Sequence, residues 1–170
     1  PLADVEALAR PPVLLTNVAT LLVGYGMFGS FILIPTLAQS PTSTGYGFGD
    51  DATHAGLLLV PGCLTMLALG PLSGILGGRV GNKVPLALGG FLTALGLALL
   101  AAGHGTQAEV VLFSVLMSGG IGLAFAAMPN LIIEAVPPEQ TGEATGFNAL
   151  VRSVGSSLGS QVSATILAGS

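Results

Sequence analysis

The feature that most limits how this chain can fold is the distribution of its charged residues. Only 8 acidic and 4 basic side chains occur in 170 residues, whereas an ordinary soluble domain has about one charged residue in four. Long stretches contain no charged residue: 11–49, 52–78, 84–108, 110–133 and 153–170. A helix needs about 20 residues to cross the hydrocarbon core of a bilayer, so each stretch can hold most or all of a membrane span. We therefore predict an all-α, polytopic membrane helical bundle with five transmembrane helices.

Turn-forming and polar residues separate these stretches and indicate where the spans end. Pro11 and Pro12 suit the first turn of a helix, which needs no backbone N–H there. Residues 40–53 are rich in Gly, Ser, Thr and Asp and predict the longest loop. The fifth helix is expected to begin near Pro138 and to enter the membrane near Ala149. The expected spans form one transmembrane domain and cover about 13–37, 54–77, 85–102, 108–133 and 138–168.

The same composition excludes several classes of function. A net charge of −4 with 4 basic residues gives no basic patch of the kind that nucleic-acid binding requires, so no nucleic-acid partner is expected. The sequence shows no Ser/His/Asp, Cys/His or metal-ligand constellation. We therefore expect no catalytic residue, no metal site, no cofactor and no enzymatic activity. The single cysteine, Cys63, is interpreted as a small residue inside a membrane helix.

The positions of lysine and arginine predict the orientation in the membrane, because cytoplasmic loops carry an excess of these residues. With alternating spans, all four basic residues fall on one side: Arg10, Arg79, Lys83 and Arg152. We predict that the N-terminus and loops 78–84 and 134–141 are cytoplasmic, that loop 40–53 lies outside, and that the membrane is the plasma membrane.

Small residues recur at intervals of four along three of the predicted spans, which places them on single helix faces. Small residues allow close approach of helices in lipid. The rows are compatible with static packing or with faces that slide against each other, and the sequence leaves both open. The predicted packing residues are Gly70, Gly74, Gly78, Gly122, Gly155 and Gly159.

The loop between the second and third spans resembles the signature of the major facilitator superfamily, G-x-L-A-D-R-x-G-R-K. This sequence departs from the motif at Gly78, where the motif has Asp, and at Asn82, where the motif has a basic residue. The matching residues are Gly74, Leu76, Arg79, Gly81 and Lys83.

Segments 1–29, 54–62, 120–130 and 135–160 extend the resemblance to nearly the whole chain. They are similar to the C-terminal half of the fourteen-helix drug:proton antiporter branch, of actinobacterial type. The resemblance implies five helices of a six-helix half, completed by an N-terminal half and a sixth helix of the same transporter. Because the sequence opens at Pro1 rather than at a methionine, we expect it to be a piece of a longer chain.

The resemblance also implies a function. It indicates part of a secondary active transporter, with a lipid bilayer and a small-molecule substrate as partners. Proton-coupled efflux of drugs or other small amphipathic molecules by alternating access is the expected activity. The alternative is a non-transporting membrane scaffold, or an integral subunit of a membrane complex.

A polar stripe on the fifth span is the strongest candidate for a cavity lining. Asn148, Arg152 and Ser156 lie at intervals of four, and Asn17 and Tyr25 on the first span are further candidates, since the family places both helices around its cavity. Arg152 has a second interpretation, in which its side chain extends to the interface and only marks topology. The interiors of the first four spans contain no ionisable acid or base, so proton-coupling residues are expected outside this chain.

Overall fold

The computed structural model describes residues 10–45, 47–103 and 105–169, and all regular elements in this part of the chain are helical. Short 3₁₀ turns occur at Thr42–Thr44 and Pro138–Gln140. The described residues are 88% helical and contain no strand, which confirms the predicted all-α membrane bundle. The α-helices are α1 (Pro11–Gln39), α2 (Ala52–Leu57), α3 (Val60–Val80), α4 (Lys83–Ala102), α5 (Gln107–Ala135) and α6 (Thr141–Gly169).

Four helical segments among the described residues are long and apolar enough to cross a membrane. They are α1, α4, α5 and the segment Ala52–Val80, which contains α2 and α3. Helix α6 has 29 residues, as α1 does, but Arg152 and its many hydroxyl side chains make it less apolar. A count of five spans therefore stays a prediction.

Local sequence signals explain where the helices begin. Thr106 and Glu109 form a capping box at the start of α5: the Glu109 amide donates to Thr106 Oγ1 over 3.3 Å, and the Thr106 amide donates to Glu109 Oε2 over 3.2 Å. The expected second span contains an interruption at residues 58–59, where α2 ends and α3 begins. The break precedes Pro61, whose ring would collide with the carbonyl of residue 57 in a continuous helix.

Helix α5 lies at the centre of the bundle and packs against α1, α3 and α4. A Cβ on Gly89 of α4 would lie 2.7 Å from the amide nitrogen of Ala124, so the α4 and α5 backbones approach closely. A Cβ on Gly122 of α5 would likewise lie 2.7 Å from the carbonyl oxygen of Met66 on α3. Helix α5 supplies most of the main apolar core, whose buried members are Val23, Ile34, Val110, Met117, Ile121, Ala124 and Met128.

The small residues of α3 have different surroundings from those of α5. No described atom outside the immediate chain lies within 4 Å of the position that a Cβ would occupy on Gly70, Gly74 or Gly78. This row therefore has no packing partner among the described residues. A packing role for these three glycines stays a prediction about contacts outside the described part of the chain.

Candidate functional site

Helices α1 and α6 run parallel and form a close contact that brings the predicted polar residues together. A Cβ on Gly155 would contact the carbonyl oxygen of Leu21, and one on Gly159 would contact that of Tyr25. Residue numbers increase in the same direction along the two helices: Asn17 faces Asn148, and further along Gly29 faces Gly159. This close backbone packing brings polar groups on facing sides within hydrogen-bonding distance.

A buried hydrogen-bonded group, which we call the asparagine node, joins α1 to α6. Asn148 Nδ2 donates to Asn17 Oδ1 and to Thr20 Oγ1, both over 2.8 Å. The exposed fractions are 3% for Asn148, 5% for Asn17 and 0% for Thr20. Since a buried amide is costly unless hydrogen-bonded, these contacts favour one register of α1 against α6.

Thr20 is the member of the node that was not predicted from the sequence. Its hydroxyl donates to the carbonyl oxygen of Thr16 over 2.8 Å while it accepts from Asn148. The spacing of Asn17 and Thr20 on one face of α1 was the available signal. It was weak, because threonine in a membrane helix commonly bonds only to its own backbone.

Ser156 lies one turn beyond Arg152 and is directed at its own helix. Its Oγ donates to the Arg152 carbonyl oxygen over 2.8 Å, and the side chain is 9% exposed. A Cβ on Gly24 of α1 would lie 2.8 Å from the same carbonyl oxygen. Tyr25 contributes its carbonyl to the contact with α6, while the residue is 40% exposed and its side chain takes no part in the asparagine node.

The guanidinium of Arg152 lies over the ring of Phe125 on α5, with 5.2 Å between Cζ and the ring centroid. Within the described ranges it forms no ion pair, and no hydrogen bond from its side chain is present. A cation–π contact of this kind contributes about 0.5–2 kcal/mol. It leaves the N–H donors of the guanidinium without acceptors from the described chain.

Phe125 also borders an apolar groove between α3 and α5, with a volume of about 540 Å³. We call it the α3–α5 groove. The residues that line it have apolar side chains, apart from the thiol of Cys63. Residues that define it include Cys63, Met66, Leu67, Pro71, Gly122 and Phe125.

The loop between α3 and α4 is attached to the end of α5. Asn82 Nδ2 donates to Glu134 Oε1 over 2.7 Å, and the Asn82 side chain packs on Gly77. Gly81 adopts φ of +87°, a left-handed conformation that favours glycine. In the sequence, Asn82 stands out only as a departure from the loop signature, and nothing there indicates this contact. The two basic residues of the signature, Arg79 and Lys83, are exposed.

Two acidic residues on the opposite side of the bundle hold the longest loop. Asp50 accepts two bonds from Gln107 Nε2, over 2.8 and 3.0 Å. Asp51 caps α2 by accepting from the His54 amide, and His54 Nδ1 lies 2.7 Å from the same carboxylate oxygen. These hydrogen bonds, chiefly the one from the His54 amide, hold the pKa of Asp51 below its usual value of 3.8.

Comparison with known proteins gives the class that this arrangement belongs to. The Major Facilitator Superfamily model matches residues 1–160. The chain belongs to the Major Facilitator Superfamily, which confirms the resemblance stated from the loop signature. No solved structure matches the chain.

Several named relatives are similar over most of this chain. It is 29% identical to "Multidrug resistance protein Stp" of Mycobacterium tuberculosis over 147 residues, which cover 86% of this chain and 26% of that protein. It is 28% identical to "Vacuolar basic amino acid transporter 5" of Saccharomyces cerevisiae, covering 100% of this chain and 30% of the relative. It is 31% identical to "Uridine/deoxyuridine transporter" of Lactococcus lactis, covering 83% and 30%.

The chain thus spans about a quarter to a third of these relatives. The relatives bear the names of transporters and resistance proteins, and the family assignment confirms that this chain is not an enzyme. Its place in the C-terminal half of a fourteen-helix protein stays a prediction.

Proposed function

We propose that this chain is part of a secondary active transporter that exports drugs or other small amphipathic molecules in exchange for protons. The asparagine node is the observation that best supports a transport role, because it buries amide groups where α1 and α6 meet. Membership of the superfamily and similarity to a protein named for multidrug resistance add to this support.

The proposed mechanism is alternating access, in which one half of the transporter rocks against the other around a site near the middle of the membrane. Helices α1 and α6 move together in this scheme, since close packing at Gly155 and Gly159 and the asparagine node hold them in one register. An N-terminal half and a sixth helix of the same transporter complete the cavity, and the asparagine node, buried between α1 and α6, supports its wall on this side.

Proton coupling is assigned to residues beyond this chain. The acidic side chains within the described ranges are at helix ends or in loops: Asp50, Asp51, Glu109, Glu134, Glu139 and Glu143. A carboxylate that exchanges protons across the membrane has to be reached from both sides, which is typical of an acid within a span.

Efflux by the full-length protein tests this proposal. Cells that express it should accumulate less of several fluorescent amphipathic dyes than cells without it, and collapse of the pH gradient should abolish the difference. Asn148→Ala should reduce efflux about tenfold or more, because Asn17 and Thr20 lose their shared donor. Asn148→Asp keeps the size of the side chain but removes the amide donor. It therefore separates the loss of the hydrogen bonds from the loss of packing.

Ser157→Ala is the matched control, because Ser157 is an exposed residue of the same helix. It should leave efflux unchanged. The proposal is wrong if dye accumulation is the same with and without the protein, or if Asn148→Ala at normal expression transports as the wild type does.

A further inference from the structure

Arg152 is not one of the residues that line the α3–α5 groove, but both contact the ring of Phe125, and together they define a candidate site. Phe125 forms a wall of the groove, and the same ring lies beneath the guanidinium of Arg152. We propose that the site binds a small amphipathic organic anion, with its apolar body in the groove and its acidic group on Arg152. The inference rests on the proposed transport function and names the class of substrate.

Charge is the first argument for an anion. Within the described ranges no carboxylate lies within 4 Å of Arg152, and its guanidinium lies over the ring of Phe125. An arginine in a membrane-spanning bundle is costly and is expected to have a partner. A ligand carboxylate or sulfonate supplies that partner, because the planar guanidinium can donate two parallel hydrogen bonds to it.

The shape and surface of the groove supply the second argument. The groove is open rather than enclosed, and its volume of about 540 Å³ is large enough for a small molecule. Its walls are side chains of Met66, Leu67, Pro71 and Phe125 together with the close-packed backbone at Gly122. An anionic oxygen bonded to Arg152 would lie within about 9 Å of the Phe125 centroid, because Cζ is 5.2 Å from the centroid and the hydrogen-bonded oxygen is at most about 4 Å from Cζ. One fused aromatic system can span that distance.

Cys63 provides a probe inside the same groove. Its thiol is exposed, so a ligand bound there should slow its alkylation by N-ethylmaleimide. The experiment uses the full-length protein in phosphatidylcholine nanodiscs, and mass spectrometry of the peptide that contains Cys63 gives the extent of reaction. Three probes share one apolar body and differ in charge: 1-naphthalenesulfonate, 1-naphthol and 1-naphthylmethylammonium.

The sulfonate should protect Cys63 at a concentration about tenfold lower than either other probe, the factor expected for one charge-assisted hydrogen-bonded pair. Arg152→Gln should remove this preference and leave weak, equal protection by all three probes. Arg152→Lys should retain part of it, and Arg79→Gln, which changes an exposed arginine of the α3–α4 loop, should retain all of it. An unchanged rate of Cys63 alkylation without ligand shows that each variant keeps its groove.

Other results overturn the inference. Equal or stronger protection by the ammonium probe would exclude an anion site, and protection by phosphatidylglycerol alone would assign the site to lipid. Failure of Cys63 to react without ligand would place the groove against the lipid chains. If the inference fails while dye efflux persists, the substrate class is wrong and the transporter stands; if efflux is also absent, the proposed function fails with it.

Discussion

At the scale of single residues, Asn148 shows how much a sequence can indicate about a buried site. An amide in an apolar helix predicts a functional or packing role, and Asn17 is identifiable for the same reason. Thr20 is not, because most threonines of the described helices, such as Thr36 and Thr65, only bond to their own backbone. Which hydroxyl has a second partner depends on the neighbouring helix.

Asp51 gives a residue-scale prediction about pH. Its folded-state pKa lies below the ordinary value of 3.8 because it accepts hydrogen bonds from His54. Its capping contribution is therefore complete above that ordinary value and is lost as the pH falls through the lower, folded-state pKa. Hydrogen-exchange protection of residues 54–57 should decrease in this acidic range in the wild type.

Asp51→Asn supplies the matched control, because asparagine also caps helices but does not titrate. Protection in this variant should not depend on pH over the same range. Equal pH dependence in the variant and the wild type would contradict the assigned cap.

At the scale of helices, the glycine rows look alike in the sequence but differ in their surroundings. Gly159 lies against the backbone of α1, whereas Gly78 has open space where a Cβ would stand. Gly159→Ala should therefore force α1 and α6 apart, at a cost of about 1–3 kcal/mol. We expect a lower Tm of the purified full-length protein and reduced efflux.

Gly78→Ala is the control for this prediction. Alanine is a better helix former than glycine, and its added methyl group would contact no other atom of the described chain. A decrease in Tm equal to that of Gly159→Ala would show that Gly78 packs against a part of the protein outside the described residues.

At the scale of the whole molecule, the helix directions agree with a chain that crosses the membrane repeatedly. Helices α1 and α6 are parallel, as are α3 and α5, whereas α4 and α5 are antiparallel. Arg10, Arg79 and Lys83 would then share the cytoplasmic side, whereas Arg152 lies level with Gly24, near the middle of α1. That orientation, and the plasma membrane as its location, are proposals.

Reporter insertion tests the proposed orientation. A reporter after Gly49, in the loop between α1 and α2, should report the outside of the cell, and one after Gly81 should report the cytoplasm. Both glycines have positive φ and lie in connections between helices. The opposite pair of results would invert the orientation and place the basic residues outside.

The sequence by itself determined the helical membrane class and the family, because these depend on properties that each residue has alone or with near neighbours. Long charge-free stretches have to be helical in lipid, where the backbone must satisfy its own hydrogen bonds, and the loop signature is a local pattern. The tertiary structure decided which polar and small residues have partners. Asn148 meets Thr20 across 128 positions of sequence, and Arg152 meets Phe125, because helix packing brings together side chains whose separation in sequence contains no information about their distance.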